Sequence, residues 1–173
     1  METNSTITIL RQLLDDDIRR LISAEAELAN SLVVWSKKAG ALPLKMLLQE
    51  YNQQTESHIE KLNAYAAAEQ INAISIANRV MKAYIDETDD KLAACSLSDV
   101  RDASLLASVQ SICHFKISMY GTAATFANLL DLKEAAKVFH EAESNEKGMD
   151  ERLSFLAEDH INKKAKSPVA LPL

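Results

Sequence analysis

The chain has 173 residues, 47% of them hydrophobic, with only three glycines, three prolines and a net charge of −6. A chain of this length can bury one full hydrophobic core, and so few turn-forming residues exclude folds built from short strands and tight turns. The negative charge argues against nucleic acid as a partner, because phosphate binding needs a concentrated basic surface. We therefore predict one all-α domain over residues 1–163.

The cellular location of the protein and the redox state of its cysteines are predicted from two further features. Residues 1–17 carry acidic side chains where a secretory signal would have a basic start and an apolar run. No segment is apolar for long enough to span a bilayer, so we expect a soluble cytoplasmic protein without a membrane partner. The two cysteines, Cys95 and Cys113, are too few for a disulfide framework and lack zinc-finger spacing. Both are predicted to be reduced thiols.

The first two predicted helices form a hairpin. A stripe of leucine and isoleucine predicts the first helix over residues 5–38, and Gly40 is predicted to end it. Pro43 suits the first turn of a second helix, which runs to about residue 70. Because the link over residues 39–42 is short, the two helices are predicted to be antiparallel neighbours.

Three more helices and a tail follow. Residues 74–94 have a weaker amphipathic pattern, an acid-rich end and no proline or glycine, which predicts a helix that crosses the bundle. A third long helix begins near Asp99, and a fourth follows Asp131, whose spacing to Glu134 fits a capping box. Residues 164–173 contain two prolines and are predicted to be irregular or bound by a partner.

Each of the four long helices carries a polar residue in the middle of its apolar stripe. A bundle core accepts buried polar groups only when they satisfy one another or hold a metal. One interruption in each helix therefore predicts a shared cluster at the centre of the bundle. The interrupting residues are Glu25, Gln54 with His58, Lys116 and Glu146.

Four short stretches, one in each long helix, carry a resemblance to a known family. They are Ser23-Ala24-Glu25 with Leu28; Thr55 with His58, Ile59 and Leu62; His114-Phe115-Lys116-Ile117 with Tyr120-Gly121-Thr122; and Glu146-Lys147 with Asp150 and Leu153. In this order they resemble the ferritin-like YciF/YciE group of stress-associated bacterial proteins, whose biochemical role is not established. The resemblance covers residues 10–157. It implies a ferritin-like antiparallel four-helix bundle with a crossover helix between two hairpins, a homodimer, and often a dinuclear metal centre of interior carboxylates.

The chain departs from this family where the metal ligands are expected. Glu25 and Glu146 match, whereas family members tend to have Glu where this chain has Gln54, Cys113 and Lys116. Two divalent ions normally need about four carboxylates, and only two remain. The resemblance therefore implies that the Lys116 ammonium replaces the metal within a vestigial metal-site cluster. Its members are Glu25, Gln54, His58, Cys113, Lys116 and Glu146, with Thr55, Tyr120 and Asp150 as weaker candidates.

Simpler interpretations of the same residues stay open at this point. A glutamate on an amphipathic helix can lie at the boundary with its carboxylate in water, and Lys116 can extend to the surface and leave a partial acidic site. His58 is more often a hydrogen-bonded core residue than a ligand. Cys113 is more often a small core hydrophobe than a metal ligand or nucleophile.

Three hypotheses about function follow. The first is a non-enzymatic bundle, stress-linked or structural, without a metal cofactor. The second is an oxidoreductase or iron-handling protein that binds iron, manganese or zinc through a reduced ligand set of Glu25, Glu146 and His58, with Cys113 or Asp150. The third, compatible with both, is a homodimer that uses the outer faces of the first two helices, with Val34 and Trp35 as anchors. No hydrolase or phosphate-binding motif is present.

Overall fold

The computed structural model describes residues 6–71 and 76–166, and these residues form helices and no strand. The long helices are α1 (Leu10–Lys38), α2 (Leu42–Ala68), α4 (Ser98–Leu129) and α5 (Lys133–Leu156), with a shorter α3 (Arg79–Ala94) between the two pairs. A π-helical segment, Ala157–Ile161, joins α5 to α6 (Asn162–Lys166). The all-α prediction is confirmed, and Pro43 lies in the first turn of α2 as expected.

The starts of two helices lie later than the sequence predicted. The prediction began α1 at Ser5, which is outside the described residues, but the helix begins at Leu10 after an extended Ile9. Residues 6–9 alternate Thr and Ile, whose branched side chains lose rotamer freedom in a helix. The predicted start of α3 at residue 74 is also outside the described residues. The helix begins after Asn78, whose side chain accepts a hydrogen bond from Met81 N at 3.0 Å.

The predicted capping box at the start of α5 is wrong. Leu132, not Asp131, is the residue that precedes the first helical turn, and no side chain caps this end of the helix. Asp131 instead has φ 58°, which is the left-handed conformation that Asp adopts more readily than most residues. Only three residues join α4 to α5, so the reversal of the chain uses Asp131 for the turn and leaves its carboxyl unable to cap.

The end of the bundle differs from the predicted boundary at residue 163. Ile161 is buried, and α6 lies against α4, so packing carries the helix through Lys166. The first three residues of the predicted irregular tail are therefore helical. The remaining tail, residues 167–173, lies outside the described residues.

Contacts between the helices establish their directions. Arg11 Nη2 lies 2.6 Å from Glu69 Oε2 and joins the start of α1 to the end of α2. Gln110 Nε2 donates to Ser154 Oγ at 2.8 Å and joins the first half of α4 to the end of α5. Each pair is thus an antiparallel hairpin. Asp102, near the start of α4, binds the backbone just after α1, so α1 and α4 are antiparallel as well. The four long helices form the predicted antiparallel bundle, and α3 is the crossover between its two hairpins.

The interior consists of two apolar clusters with a polar layer between them. One cluster lies toward the turn between α1 and α2 and includes Leu28, Leu32, Trp35, Leu48, Val109 and Leu153. The other lies toward the turn between α4 and α5 and includes Leu14, Ile18, Leu21, Leu62, Ala127 and Phe139. Along α1, Glu25 stands between these clusters, as Lys116 does along α4 and Glu146 along α5. The polar interruptions therefore lie at one level of the bundle.

Trp35 is not available as a dimer anchor. Its side chain is fully buried, and its indole Nε1 donates to Asp89 Oδ1 on α3 at 2.9 Å. The crossover helix α3 covers Trp35, which the sequence analysis proposed as an anchor for a second copy. The neighbouring Val34 is 48% exposed and keeps the predicted orientation toward the outer face. Within the described part of the chain, no helix carries an apolar stretch long enough to cross a membrane.

Candidate functional site

Three charged side chains meet at the centre of the polar layer. Lys116 Nζ lies 2.8 Å from Glu25 Oε2 and 2.7 Å from Glu146 Oε1. All three side chains have no exposed surface. The interpretations in which the glutamates reach water, or the lysine extends to the surface, are therefore wrong. We call Glu25, Lys116 and Glu146 the ion cluster.

The electrostatics of the ion cluster favour the charged forms of Glu25 and Lys116. Burial raises the pKa of the Glu25 carboxyl, but the Lys116 ammonium and then the His58 ring lower it, and the net pKa is below its ordinary value. Burial lowers the pKa of the Lys116 ammonium, whereas the carboxylates of Glu146 and Glu25 raise it above its ordinary value. At neutral pH the ammonium and the Glu25 carboxylate are thus the stable forms.

His58 is a hydrogen-bonded core residue beside the ion cluster. Its Nδ1 lies 3.1 Å from Glu25 Oε1 and 3.5 Å from Glu146 Oε1. A carboxylate only accepts hydrogen bonds, so Nδ1 carries the proton that it shares with Glu25. The side-chain amide nitrogen of Asn145 on α5 lies 3.4 Å from Nε2. His58 on α2 thus contacts Glu25 on α1 and both Glu146 and Asn145 on α5.

Two tyrosines complete the contacts of the carboxylates. The Tyr120 hydroxyl donates to Glu25 Oε1 at 2.5 Å, and the Tyr51 hydroxyl donates to Glu146 Oε2 at 2.6 Å. Burial, and then the neighbouring carboxylate, raises the pKa of each phenol well above its ordinary value. Both phenols therefore remain protonated donors. The sequence placed Tyr120 among the weaker candidates, and the structure brings it into direct contact with the ion cluster.

Tyr51 contacts the ion cluster and Asn145 contacts His58, and the sequence analysis identified neither residue as a candidate. The Tyr51 hydroxyl oxygen also accepts from Lys116 Nζ and from the Cys113 thiol, each at 3.3 Å. It therefore links α2 to α4 and α5. The sequence could have identified Tyr51 as a candidate, because Tyr51 precedes His58 by two helical turns and lies on the same face of α2.

The remaining candidates lie at different distances from the ion cluster. Gln54 is half-buried, and its Nε2 donates to Glu146 Oε1 at 3.2 Å. Cys113 is buried, and burial raises the pKa of its thiol, so it is a protonated core side chain and not a nucleophile. Thr55 is buried nearby, and its hydroxyl has no hydrogen-bond partner within the described part of the chain.

Asp150 does not join the ion cluster. It is half-buried one turn beyond Glu146 on α5, where it lies 3.3 Å from His114 Nε2 and 3.5 Å from the Gln110 amide. Both partners belong to α4, so the Asp150 carboxylate faces α4 and does not contact the ion cluster. His114 itself is exposed.

The residues present do not fit the dinuclear metal centre that the family resemblance implies. One ligand atom each from Glu25, His58 and Glu146 lies within 4.8 Å of the others. However, the Lys116 ammonium contacts both carboxylates and would repel a cation placed among the same ligands. Two divalent ions normally need about four carboxylates, and the cluster has two. The donor set therefore favours an ammonium over a pair of metal ions.

Comparison with known proteins identifies the family. The sequence profile of DUF892, described as a domain of unknown function, matches residues 9–166. The chain belongs to this family. Protein YciF of Escherichia coli strain K12 is 31% identical to this DUF892 chain over 146 residues, which cover 84% of the chain and 88% of YciF. The resemblance to the YciF/YciE group is thereby confirmed.

Solved structures share the fold of this DUF892 protein. Superposition on the crystal structure of the Escherichia coli stress protein YciF gives a TM-score of 0.85 at 25% sequence identity, and covers 91% of this chain and 99% of YciF. YcfI of Rhodopseudomonas palustris gives a TM-score of 0.84 at 21% identity, with coverage of 87% and 96%. At that identity the second likeness shows the fold alone. The predicted ferritin-like bundle is confirmed.

Proposed function

We propose that this DUF892 protein is a non-enzymatic ferritin-like bundle with a stress-linked or structural role, in which the ion cluster stands where related bundles hold a dinuclear metal centre. The observation that carries the proposal is the buried Lys116 ammonium, which contacts both interior carboxylates at 2.7 and 2.8 Å. An ammonium attracts both carboxylates without offering the coordination chemistry on which oxidase activity depends. A stress-linked role agrees with the description of YciF as a stress protein.

The ion cluster gives this proposed scaffold a defined helix register. Glu25 belongs to α1, Lys116 to α4 and Glu146 to α5, while Tyr51 connects α2 to them. Sliding one helix by a turn moves its side chains by about 5.4 Å, which would separate the charges. A buried charge without its partner is strongly unfavourable, so the cluster disfavours other registers. This is the property that a structural protein needs from such a layer.

A metal-binding function is the second candidate, and one observation favours it. Glu25, His58 and Glu146 bring three possible ligand atoms within 4.8 Å of one another. If the Lys116 side chain moved away, these residues would supply two carboxylates and an imidazole to one iron, manganese or zinc ion. Such a site would use fewer carboxylates than a dinuclear centre. It would make the protein an iron-handling protein or an oxidoreductase.

Metal analysis distinguishes the two candidates. The native protein and the Lys116→Glu variant are purified without a histidine tag, incubated with ferrous iron under air, desalted and measured by elemental analysis. We expect no stoichiometric metal in the native protein and stoichiometric iron in Lys116→Glu, because the substitution removes the ammonium and adds a third interior carboxylate. The Lys116→Met variant is the matched control, since it removes the ammonium without adding a ligand.

Oxygen uptake in the same samples tests the enzymatic alternative. The proposed scaffold consumes no oxygen above the rate of ferrous iron alone. Stoichiometric metal in the native protein, loss of that metal in Glu25→Ala, and faster oxygen uptake would together overturn the scaffold proposal. They would assign the protein to the second candidate function.

A further inference from the structure

Two half-buried amide side chains close the seam between α2 and α5 at the level of the ion cluster. Gln54 on α2 donates to Glu146 Oε1 on α5 at 3.2 Å. Asn145 on α5 lies 3.4 Å from His58 Nε2 on α2. The two contacts thus cross the same seam in opposite directions. We call Gln54 and Asn145 the amide gate.

The other side chains that contact the ion cluster are shielded from solvent. Within the described part of the chain, the remaining side chains with hydrogen bonds or ion pairs to the ion cluster are Tyr51, His58 and Tyr120. Each of the three is at most 2% exposed. The amide gate is therefore where the side chains around the ion cluster reach solvent.

The side chains on either side of the amide gate form ion pairs, whereas the gate itself is neutral. Glu50 pairs with Arg152 on one side, and Lys61 pairs with Glu141 at 2.8 Å on the other. An amide carries no net charge, so the gate offers no counter-charge to an ion that sheds its hydration water. The amide gate therefore suits a small uncharged molecule rather than an ion.

Thr55 supplies a polar atom inside the bundle at this level. Its side chain is fully buried, and its hydroxyl has no hydrogen-bond partner within residues 6–71 and 76–166. Thr55 follows Gln54 directly and precedes His58 by three residues, which is about 4.5 Å along the helix axis. Because His58 Nδ1 contacts Glu25, Thr55 lies within about one helical turn of the level of Glu25. A buried hydroxyl without a partner is unfavourable, and ordered water is the usual way to satisfy it.

Glu25 supplies a second polar atom of this kind. The Lys116 ammonium lies 2.8 Å from Glu25 Oε2, but this ion pair is not aligned as a hydrogen bond, and Oε2 has no hydrogen-bond partner within the described residues. A buried water needs about two to four polar partners. The Thr55 hydroxyl, which can donate or accept, and Glu25 Oε2, which accepts, provide two of them.

We propose that a water molecule binds the Thr55 hydroxyl, with Glu25 Oε2 as its second partner, and that it exchanges with solvent through the amide gate. The bundle thus contains a hydration site beside the ion cluster. The neutral amides of Gln54 and Asn145 restrict entry to small uncharged molecules. This hydration site goes beyond the scaffold and metal-binding functions proposed above and requires neither of them.

Methyl NMR tests the hydration site in the native protein. With threonine methyl groups labelled, a nuclear Overhauser cross-peak between water and the Thr55 methyl is expected. Thr88 is the matched control, because it is also buried but its hydroxyl donates to Tyr84 O at 2.6 Å, and its methyl is expected to show no such peak. Absence of the peak at Thr55 overturns the proposal. Peaks of equal strength at both threonines also overturn it, because they arise from exchange of the hydroxyl protons and not from bound water.

Hydrogen exchange tests the amide gate. Gln54→Ala removes the contact with Glu146 and leaves both contacts of the His58 ring in place. The exchange of the His58 Nδ1 proton with water is expected to rise about tenfold relative to that of the Leu28 backbone amide, because a hydrogen bond to a charged group is lost at the gate. Gln53→Ala is the control, since Gln53 is the exposed neighbour of the same residue type, and it is expected to leave both rates unchanged. An unchanged His58 rate in Gln54→Ala overturns the proposal, and so does an equal rise at His58 and Leu28, which would show opening of the whole fold.

Discussion

Replacement of Lys116 by methionine tests the ion cluster most directly. Methionine keeps an unbranched apolar side chain of similar length and removes the ammonium that faces Glu25 and Glu146 at 2.8 and 2.7 Å. Two carboxylates without exposed surface then lose their common cation. Removing one partner of a buried ion pair generally costs about 3 to 5 kcal/mol, because it leaves an uncompensated buried charge.

The pH dependence of this cost can be worked out from the same geometry. Without the ammonium, the folded state relieves the repulsion by protonating one of the two carboxyls. A carboxyl with an ordinary pKa near 4.3 takes up a proton at a cost of about 5 kcal/mol at pH 8 and about 1 kcal/mol at pH 5. We therefore expect Lys116→Met to lose about 3 to 5 kcal/mol of unfolding free energy at pH 8 and about 1 kcal/mol at pH 5.

The native ion cluster has the opposite response to acid. The pKa of Glu25 is lowered in the folded state, so its contribution is complete above the ordinary carboxyl pKa and is lost as the pH falls through the lowered value. The pKa of Lys116 is raised, so its contribution is complete below the ordinary lysine pKa and is lost as the pH rises through the raised value. Between about pH 5 and pH 10 both contributions are present. The pH dependence of the difference in unfolding free energy between the native protein and Lys116→Met thus comes from the variant.

Urea unfolding followed by circular dichroism at pH 5 and pH 8 measures this difference. The slope of the unfolding free energy against urea concentration must be equal in the native protein and in Lys116→Met for the comparison to hold. Lys61→Met is the control, because Lys61 pairs with Glu141 at 2.8 Å on the surface, and exposed pairs contribute about 0 to 1 kcal/mol. A Lys116→Met variant as stable as the native protein at pH 8 would refute the reasoning, and so would an equal loss at both pH values.

Three further predictions follow from the same structure. Tyr120→Phe removes the hydrogen bond to a buried carboxylate and should cost about 1.5 to 3 kcal/mol in urea unfolding, whereas Tyr65→Phe should be nearly neutral because its buried hydroxyl has no partner within the described residues. In a native-state thiol assay at pH 8, Cys95 should react and Cys113 should stay protected until urea unfolds the protein, since burial raises the pKa of its thiol. If the chain is a homodimer through the outer face of α1, Val34→Glu should shift the sedimentation coefficient to that of a monomer without loss of helicity; an unchanged value excludes this face.

The helices and their polar interruptions were predictable because they depend on local periodicity. Apolar residues at helical spacing marked all four long helices, and Glu25, Lys116 and Glu146 stood within those stripes. Helix ends were less predictable. The left-handed Asp131 reverses the chain between two packed helices, and its spacing to Glu134 carried no information about that turn.

The membership of the site was predictable only in part. Asp150 and Glu146 lie one turn apart on α5, yet only Glu146 enters the polar layer. Tyr51 looked like an ordinary core residue, but its hydroxyl reaches Glu146, Lys116 and Cys113. An apolar stripe on one helix indicates which side of that helix faces the core. The stripe does not indicate which atoms of the neighbouring helices contact that side.

The sequence by itself determined the all-α class, the hairpin of the first two helices and the presence of one polar position per long helix. The class and the polar positions follow from residue spacing along single segments, and the first hairpin follows from the short link over residues 39–42. The second hairpin was implied by the family resemblance. Only the tertiary structure decided that the Lys116 ammonium points inward to both glutamates, and that Trp35 is covered by α3. These outcomes depend on the rotation and level of each helix relative to its neighbours. Those relations are set when separate segments pack, and the periodicity of one segment does not contain them.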